Sequence, residues 1–157
     1  MQESPYIKLF DLAYNALNAI EKHEEREIGP AIARKLSERT GREERPLSTT
    51  ECHVLEQVQQ GTTTAARIAE TLDMTRGGVS KAISKLAGKG FLETPRSQDN
   101  AREVMLRLTP RGEAVCEIHA AMHSARLDAW SRYLDGFDEG ELGTITRFLE
   151  GLASFDE

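Results

Sequence analysis

Between Thr64 and Thr109 two short amphipathic segments lie so close together that only Asp73 and Met74 remain to turn the chain between them. Ala65, Ile68, Ala69 and Leu72 recur at helical intervals behind Thr62, Thr63 and Thr64, a polar cluster able to cap a first helix. Thr75 can cap a second helix, whose apolar stripe is Val79, Ala82, Ile83 and Leu86. Gly88 and Gly90 stop that helix, after which Phe91 to Thr94 can extend. Val104, Leu106 and Leu108 alternate with Met105 and Arg107 as a strand should. Between the two strands, the stretch Arg96-Ser97-Gln98-Asp99-Asn100-Ala101-Arg102 holds two arginines and no large apolar residue. Helix, tight turn, helix and polar-tipped hairpin in this order specify a winged helix-turn-helix.

The buried stripe of the second helix fixes its exposed one. Lys81, Lys85 and Lys89 follow one another at i, i+4, with Arg76, Ser80 and Ser84 nearby, a surface suited to phosphates and base edges. The candidate DNA contacts are therefore Thr75, Arg76, Gly77, Gly78, Ser80, Lys81, Ser84 and Lys85 on this helix, with Arg96 and Arg102 on the wing. Gly77 and Gly78 each cost about 1 kcal/mol relative to Ala in a helix, a cost consistent with close backbone approach to DNA. The bland alternative is that the lysine stripe is an ordinary solvated face. Charge distribution argues against it: from Arg67 to Arg111 there are nine Lys or Arg against five Asp or Glu, a net of +4. The whole chain is −6, so the remainder carries −10. An acidic protein that concentrates its positive charge on one module can dock that module on DNA while its other parts are repelled.

The rest of the chain reads as helices. Tyr6, Leu9, Phe10, Ala13, Ala16, Leu17 and Ile20 form the stripe of a first helix running to about Glu25, with a break near Gly29-Pro30. Ile32 and Leu36 suggest a further turn or two, and Ser37 to Arg45 a loop. Ser48-Thr49-Thr50-Glu51 is a capping-box sequence for a helix to Gly61, with Val54, Leu55 and Val58 inward. Thr109-Pro110 opens a long helix through about Leu134, and Asp138 with Glu141 caps a last one carrying Leu142, Ile145, Phe148, Leu149 and Leu152. The expected architecture is mainly α with a small β-hairpin wing. A winged helix-turn-helix lobe (47–109) stands on a helical dimerisation stem built from 1–46 and 110–157. The terminal helices hold more large apolar residues than one lobe needs, which predicts a homodimer on a pseudo-palindromic site of double-stranded DNA, with recognition helices about 34 Å apart. No stretch approaches a membrane span and the polar start lacks signal-peptide character, which predicts a cytoplasmic protein. Cys52 and Cys116 are too few for a disulfide framework.

All four histidines cluster in three places. His119 and His123 stand at i, i+4 on the long helix, so one ion can bridge them, although packing or solvent-facing roles are the commoner use of such a pair. His53 projects almost opposite to Val54, Leu55 and Val58, which makes a core role improbable. His23 is followed by Glu24 and Glu25 at the end of the first helix.

The run from Ala66-Arg67-Ile68-Ala69 through Val79-Ser80-Lys81-Ala82-Ile83 and Leu86 to Leu108-Thr109-Pro110-Arg111-Gly112 resembles the MarR family, dimeric winged-helix repressors of bacteria and archaea. The likeness covers nearly the whole chain. Asn100 stands where the family often has an Asp two residues before the wing arginine, here Arg102, with Asp99 adjacent. The histidines sharpen the resemblance to the zinc-responsive branch, the AdcR and ZitR type of zinc-uptake repressors. The resemblance implies a zinc site of Glu24, His53, His119 and His123, with Glu25 or His23 as alternatives for the fourth ligand. It gives no support to that branch's second metal site, because Ala31, Cys52 and Ile118 fall where its Cys, Glu and Glu would be. What it implies functionally is a repressor whose operator binding zinc promotes. The alternative is a regulator of the same fold released from DNA by a small aromatic or organic acid, or by cysteine oxidation. An enzyme is disfavoured: there is no His-Glu-x-x-His helix, Gly-rich phosphate loop or nucleophile elbow.

Overall fold

Seven α-helices and one short two-stranded sheet make up residues 5–62, 64–94 and 105–154, the parts of the chain that the computed structural model describes. Helix α1 (Pro5–His23) runs through a π-helical turn (Glu24–Ile28) directly into α2 (Gly29–Thr40). The break expected near Gly29-Pro30 is absent, since Ile28 and Gly29 keep right-handed helical dihedrals. Pro30 lies in the first turn of α2, where a missing N–H does little harm. Gly29 answers a close approach rather than a turn, because a Cβ there would overlap the Leu47 carbonyl. The loop expected from Ser37 is also helix as far as Thr40. The hydroxyls of Ser37 and Thr40 donate back to the carbonyls of Ala33 and Leu36 at 2.8 and 2.9 Å, and Gly41 at φ +66° closes the helix.

The elements read from capping chemistry form as expected. Helix α3 (Thr49–Gln59) begins at Ser48 with both halves of the capping box made: the Ser48 hydroxyl accepts from the Glu51 N–H, and the Glu51 carboxylate accepts from the Ser48 N–H at 2.9 Å. Helix α4 (Ala65–Thr71) is capped by Thr64 and α5 (Arg76–Gly88) by Thr75. The tight link between them places Asp73 at φ +48°, a left-handed conformation that Asp tolerates better than most residues. Strand β1 (Leu92–Glu93) pairs antiparallel with β2 (Arg107–Leu108), Leu92 opposite Leu108 and Glu93 opposite Arg107. The hairpin tip, with Arg96 and Arg102, lies outside the described residues. Thr109 joins the wing to α6 (Pro110–Leu134): its hydroxyl donates to the Gly90 carbonyl at 2.8 Å and accepts from the Gly112 N–H at 3.1 Å. A capping box at Asp138 and Glu141 starts α7 (Glu139–Ala153).

Contacts divide the chain into two compact units, Met1–His119 and Ala120–Glu157, with the boundary inside the unbroken α6. The first unit has a core of Ile32, Leu36, Val54, Leu55, Ile68, Val79, Leu86 and Val115, all nearly inaccessible to solvent. The apolar stripe of α5 thus faces inward, which turns its polar face out. The same unit leaves Ile7, Phe10, Tyr14 and Leu17 of α1 exposed. In the second unit Trp130, Tyr133 and Phe137 pack edge to face, with ring centroids 6.2 and 5.5 Å apart along the series, yet Trp130 and Tyr133 remain 46% and 64% exposed. Among the described residues of α7 none is buried.

Candidate nucleic-acid interface and metal centre

The outer face of α5 presents Thr75, Arg76, Gly77, Ser80, Lys81, Ser84 and Lys85 to solvent, with Gly78 half-buried. Two hydroxyls are already engaged: Thr75 Oγ1 accepts from the Gly78 N–H at 3.1 Å and Ser84 Oγ donates to the Ser80 carbonyl at 2.9 Å. Thr75 Oγ1 can still donate its O–H, and Ser84 Oγ can still accept. A Cβ at Gly77 would meet nothing within 4 Å, so a larger residue would fit there; Gly keeps the helix surface low beside Arg76.

Lys89 does not share this face, a correction to the three-lysine stripe read from the sequence. It caps the C-terminus of α5, and its Nζ lies 2.9 and 3.0 Å from the two carboxylate oxygens of Glu51. A stripe at i, i+4 drifts around the helix, since four residues turn about 400°, and the last position meets the N-terminal turn of α3. Glu51 is 4% exposed, so its charge is balanced in place by Lys89 and the Ser48 N–H. A second strut ties the wing base to the loop before α3. Arg111 stacks 4.5 Å over the Phe91 ring, donates to the Lys89 carbonyl at 2.7 Å and pairs with Glu44 at 2.6 Å.

His119 is buried, at 1% exposure, and its Nδ1 lies 2.7 Å from Glu56 Oε1 on α3. His123 follows one turn along the same helix and is exposed. Glu56, His119 and His123 each offer a ligand atom, and these atoms all lie within 4.8 Å of one another. The ring of His53, on α3 and half-buried, stands 6.3 Å from that of His119 between centroids. Two imidazoles and a carboxylate, with a third imidazole beside them, are the N and O donors that zinc accepts. Of the four sequence-predicted ligands, His119 and His123 belong to this cluster and the ring of His53 stands beside it. The side chain of Glu24 lies outside the described residues; its backbone belongs to the π-helical turn, not to a loop. Glu56 was missed by the sequence reading, although it stands three residues after His53 and so on a neighbouring position of one helix face.

Both thiols sit beside this cluster and both are buried. Burial first, then the Glu56 and Glu51 carboxylates, push Cys52 up to about 12, and burial followed by Glu56 and Glu113 pushes Cys116 up to about 11. Neither is a thiolate near neutral pH, which disfavours oxidation chemistry at either.

A winged helix DNA-binding domain matches residues 47–112. The transcriptional regulator ZitR of Lactococcus lactis subsp. cremoris is 32% identical over 106 residues, which cover 68% of this chain and 73% of that protein. The HTH-type transcriptional regulator PchR of Bacillus subtilis is 30% identical over 110 residues, 69% of this chain. The chain thus spans 65% of PchR's own length. The crystal structure of Lactococcus lactis ZitR, a zinc-responsive MarR family member, superposes with a TM-score of 0.71 at 26% identity, covering 95% of this chain and 99% of that one. ZitR in complex with DNA superposes at 0.64 with 28% identity, over 71% of this chain and 76% of that one. With a curated regulator at 32% identity and a matching fold, the chain belongs to the MarR family of winged helix-turn-helix transcriptional regulators.

Proposed function

We propose that the protein is a cytoplasmic, homodimeric repressor that binds a pseudo-palindromic DNA site, with binding promoted by zinc. The observation that carries the zinc reading is the convergence of Glu56, His119 and His123 within 4.8 Å, beside His53. ZitR, described as zinc-responsive, supports it. DNA is read by Thr75, Arg76, Gly77, Gly78, Ser80, Lys81, Ser84 and Lys85 of α5, with Arg96 and Arg102 of the wing on the backbone or minor groove. The lobe of residues 47–109 stands on a stem of 1–46 and 110–157, and the exposed apolar residues of α1, α6 and α7 find their cover in a second copy.

His53, His119 and His123 hold the zinc with one or more carboxylates from Glu24 and Glu56. A bound zinc ion supplies a tie between α3, which leads into the DNA-binding lobe, and α6. Lys89 then carries the position of α3 to the end of α5 through its pair with Glu51, while Arg111 ties the start of α6 to the same end through the Lys89 carbonyl and the Phe91 ring. Selecting one arrangement of the recognition helices couples the two ligands, so zinc tightens DNA binding and DNA tightens zinc binding by the same factor. A promoter fragment titrated by fluorescence anisotropy at fixed salt, with zinc or with chelator, tests this. Zinc should tighten binding by about 5- to 150-fold, the range of typical couplings, and His119→Ala should abolish the difference. Equal affinity with zinc and with chelator would reject the zinc reading while leaving DNA binding intact.

A further inference from the structure

The ligands inherited by resemblance put the site's carboxylate just after the first helix, at Glu24. The structure offers a different one. Glu56 Oε1 already lies 2.7 Å from Nδ1 of His119, and its carboxylate shares the 4.8 Å cluster with both His119 and His123. Helix α3 aims it there. His53 and Glu56 are one turn apart on that helix, so a single face delivers an imidazole and a carboxylate toward the imidazole of His119.

We propose that Glu56 is a direct ligand of a divalent transition metal, together with His119 and His123. The inference rests on the zinc reading above and deepens it by naming the carboxylate. Two donors each about 2.0 to 2.1 Å from one tetrahedral zinc stand about 3.3 Å apart. The present separation of 2.7 Å therefore needs to widen by only about half an ångström, within the freedom of a Glu side chain whose exposure is 26%. With Glu56 as ligand, the tie joins α3 to consecutive turns of α6, and Cys52, four residues before Glu56, stays inside the core.

Zinc affinity, measured by competition with a chromophoric chelator, and the visible spectrum of the cobalt(II) protein test the proposal on full-length wild type, Glu56→Gln and His119→Ala. Glu56→Gln is nearly isosteric and should fold with unchanged circular dichroism. It should bind zinc at least 10- to 100-fold more weakly, since even outer partners of metal ligands are worth that much, and its cobalt bands should shift in position and intensity. If Glu56→Gln does not fold, Glu56→Asp keeps the carboxylate on a shorter arm and should show an intermediate shift of the same bands. Unchanged affinity and bands would overturn the proposal and leave Glu24 as the carboxylate. Weakened affinity with unchanged bands would also overturn it, assigning Glu56 the task of orienting His119. A wild-type protein that takes up neither metal removes the zinc reading itself, and this proposal with it.

Discussion

Lys89 separates two roles that a sequence cannot tell apart, because a lysine on the DNA face and a lysine inside an ionic strut look alike at i, i+4. Replacing Lys89 with Met keeps the apolar stem and removes the ammonium 2.9 Å from Glu51 Oε1. At that distance the Coulomb attraction is about 6 kcal/mol for an effective dielectric of 20 and about 1.4 kcal/mol in bulk water. The Lys89 side chain is 35% exposed and that of Glu51 5%, so the pair lies between the two limits. A loss of about 2 to 3 kcal/mol follows, somewhat below the 3 to 5 kcal/mol for breaking a fully buried pair. Glu51→Gln isolates the ionic part, because Gln at the same position still completes the capping box with Ser48. The double variant should therefore recover part of the loss, giving a coupling of about 1 to 3 kcal/mol. Urea unfolding at one fixed protomer concentration reads these differences.

The DNA arm supplies the contrast. Lys85→Met should leave stability within about 0.5 kcal/mol and lower the salt dependence of DNA binding, by about 0.9 in log–log slope for each phosphate contact removed. Lys89→Met should leave that slope unchanged. The reasoning fails if Lys89→Met keeps full stability while its slope falls, for Lys89 would then belong to the DNA face and Glu51 would not need it.

Two further expectations concern the thiols and the glycine of the recognition helix. Because the folded pKa values of Cys52 and Cys116 lie above the ordinary 9.0, their stabilisation is fully present below pH 9 and is lost as pH rises toward about 12 and about 11. Each buried thiol steepens the fall of stability above pH 9 by up to about 1.4 kcal/mol per pH unit, so Cys116→Ala should unfold with a shallower pH dependence than wild type between pH 9 and 10; parallel curves would contradict it. Gly77→Ala, which meets open space, should raise stability by about 0.4 to 1 kcal/mol while weakening DNA binding severalfold, and unchanged DNA affinity would remove Gly77 from the interface.

What was legible in the sequence was whatever depends on neighbours along the chain. Ser48 with Glu51, Asp138 with Glu141, Thr64 and Thr75 announce helix starts by local hydrogen bonding, and the structure makes each of those bonds. Gly29-Pro30 misled because Gly and Pro punctuate loops far more often than they begin a helix. The reason for Gly29 is the Leu47 carbonyl, eighteen residues away and invisible to any local rule. The same distinction divides the candidate metal site. His119 and His123 declare themselves by spacing, whereas Glu56 is recognisable only once α3 and α6 are known to meet, 63 residues apart at Glu56 and His119.

Helix α3 emerges from these contacts as the element through which a metal could speak to DNA. Glu51, Cys52, His53 and Glu56 fall within six residues, yet they face three different surroundings. Glu51 holds the end of the recognition helix through Lys89, Cys52 is packed in the core, and His53 and Glu56 stand beside His119. Movement of α3 cannot leave Lys89 indifferent while the 2.9 Å pair survives, because Glu51 and Glu56 ride on the same rigid helix little more than one turn apart. The coupling is therefore testable as a chain with two links. Lys89→Met should leave zinc affinity in the absence of DNA close to wild type and reduce the factor by which zinc tightens DNA binding, whereas His119→Ala removes both. If Lys89→Met keeps the full zinc effect on DNA, the signal reaches α5 by another route, such as the Arg111 contact with the Lys89 carbonyl and the Phe91 ring or the Thr109 bond to the Gly90 carbonyl.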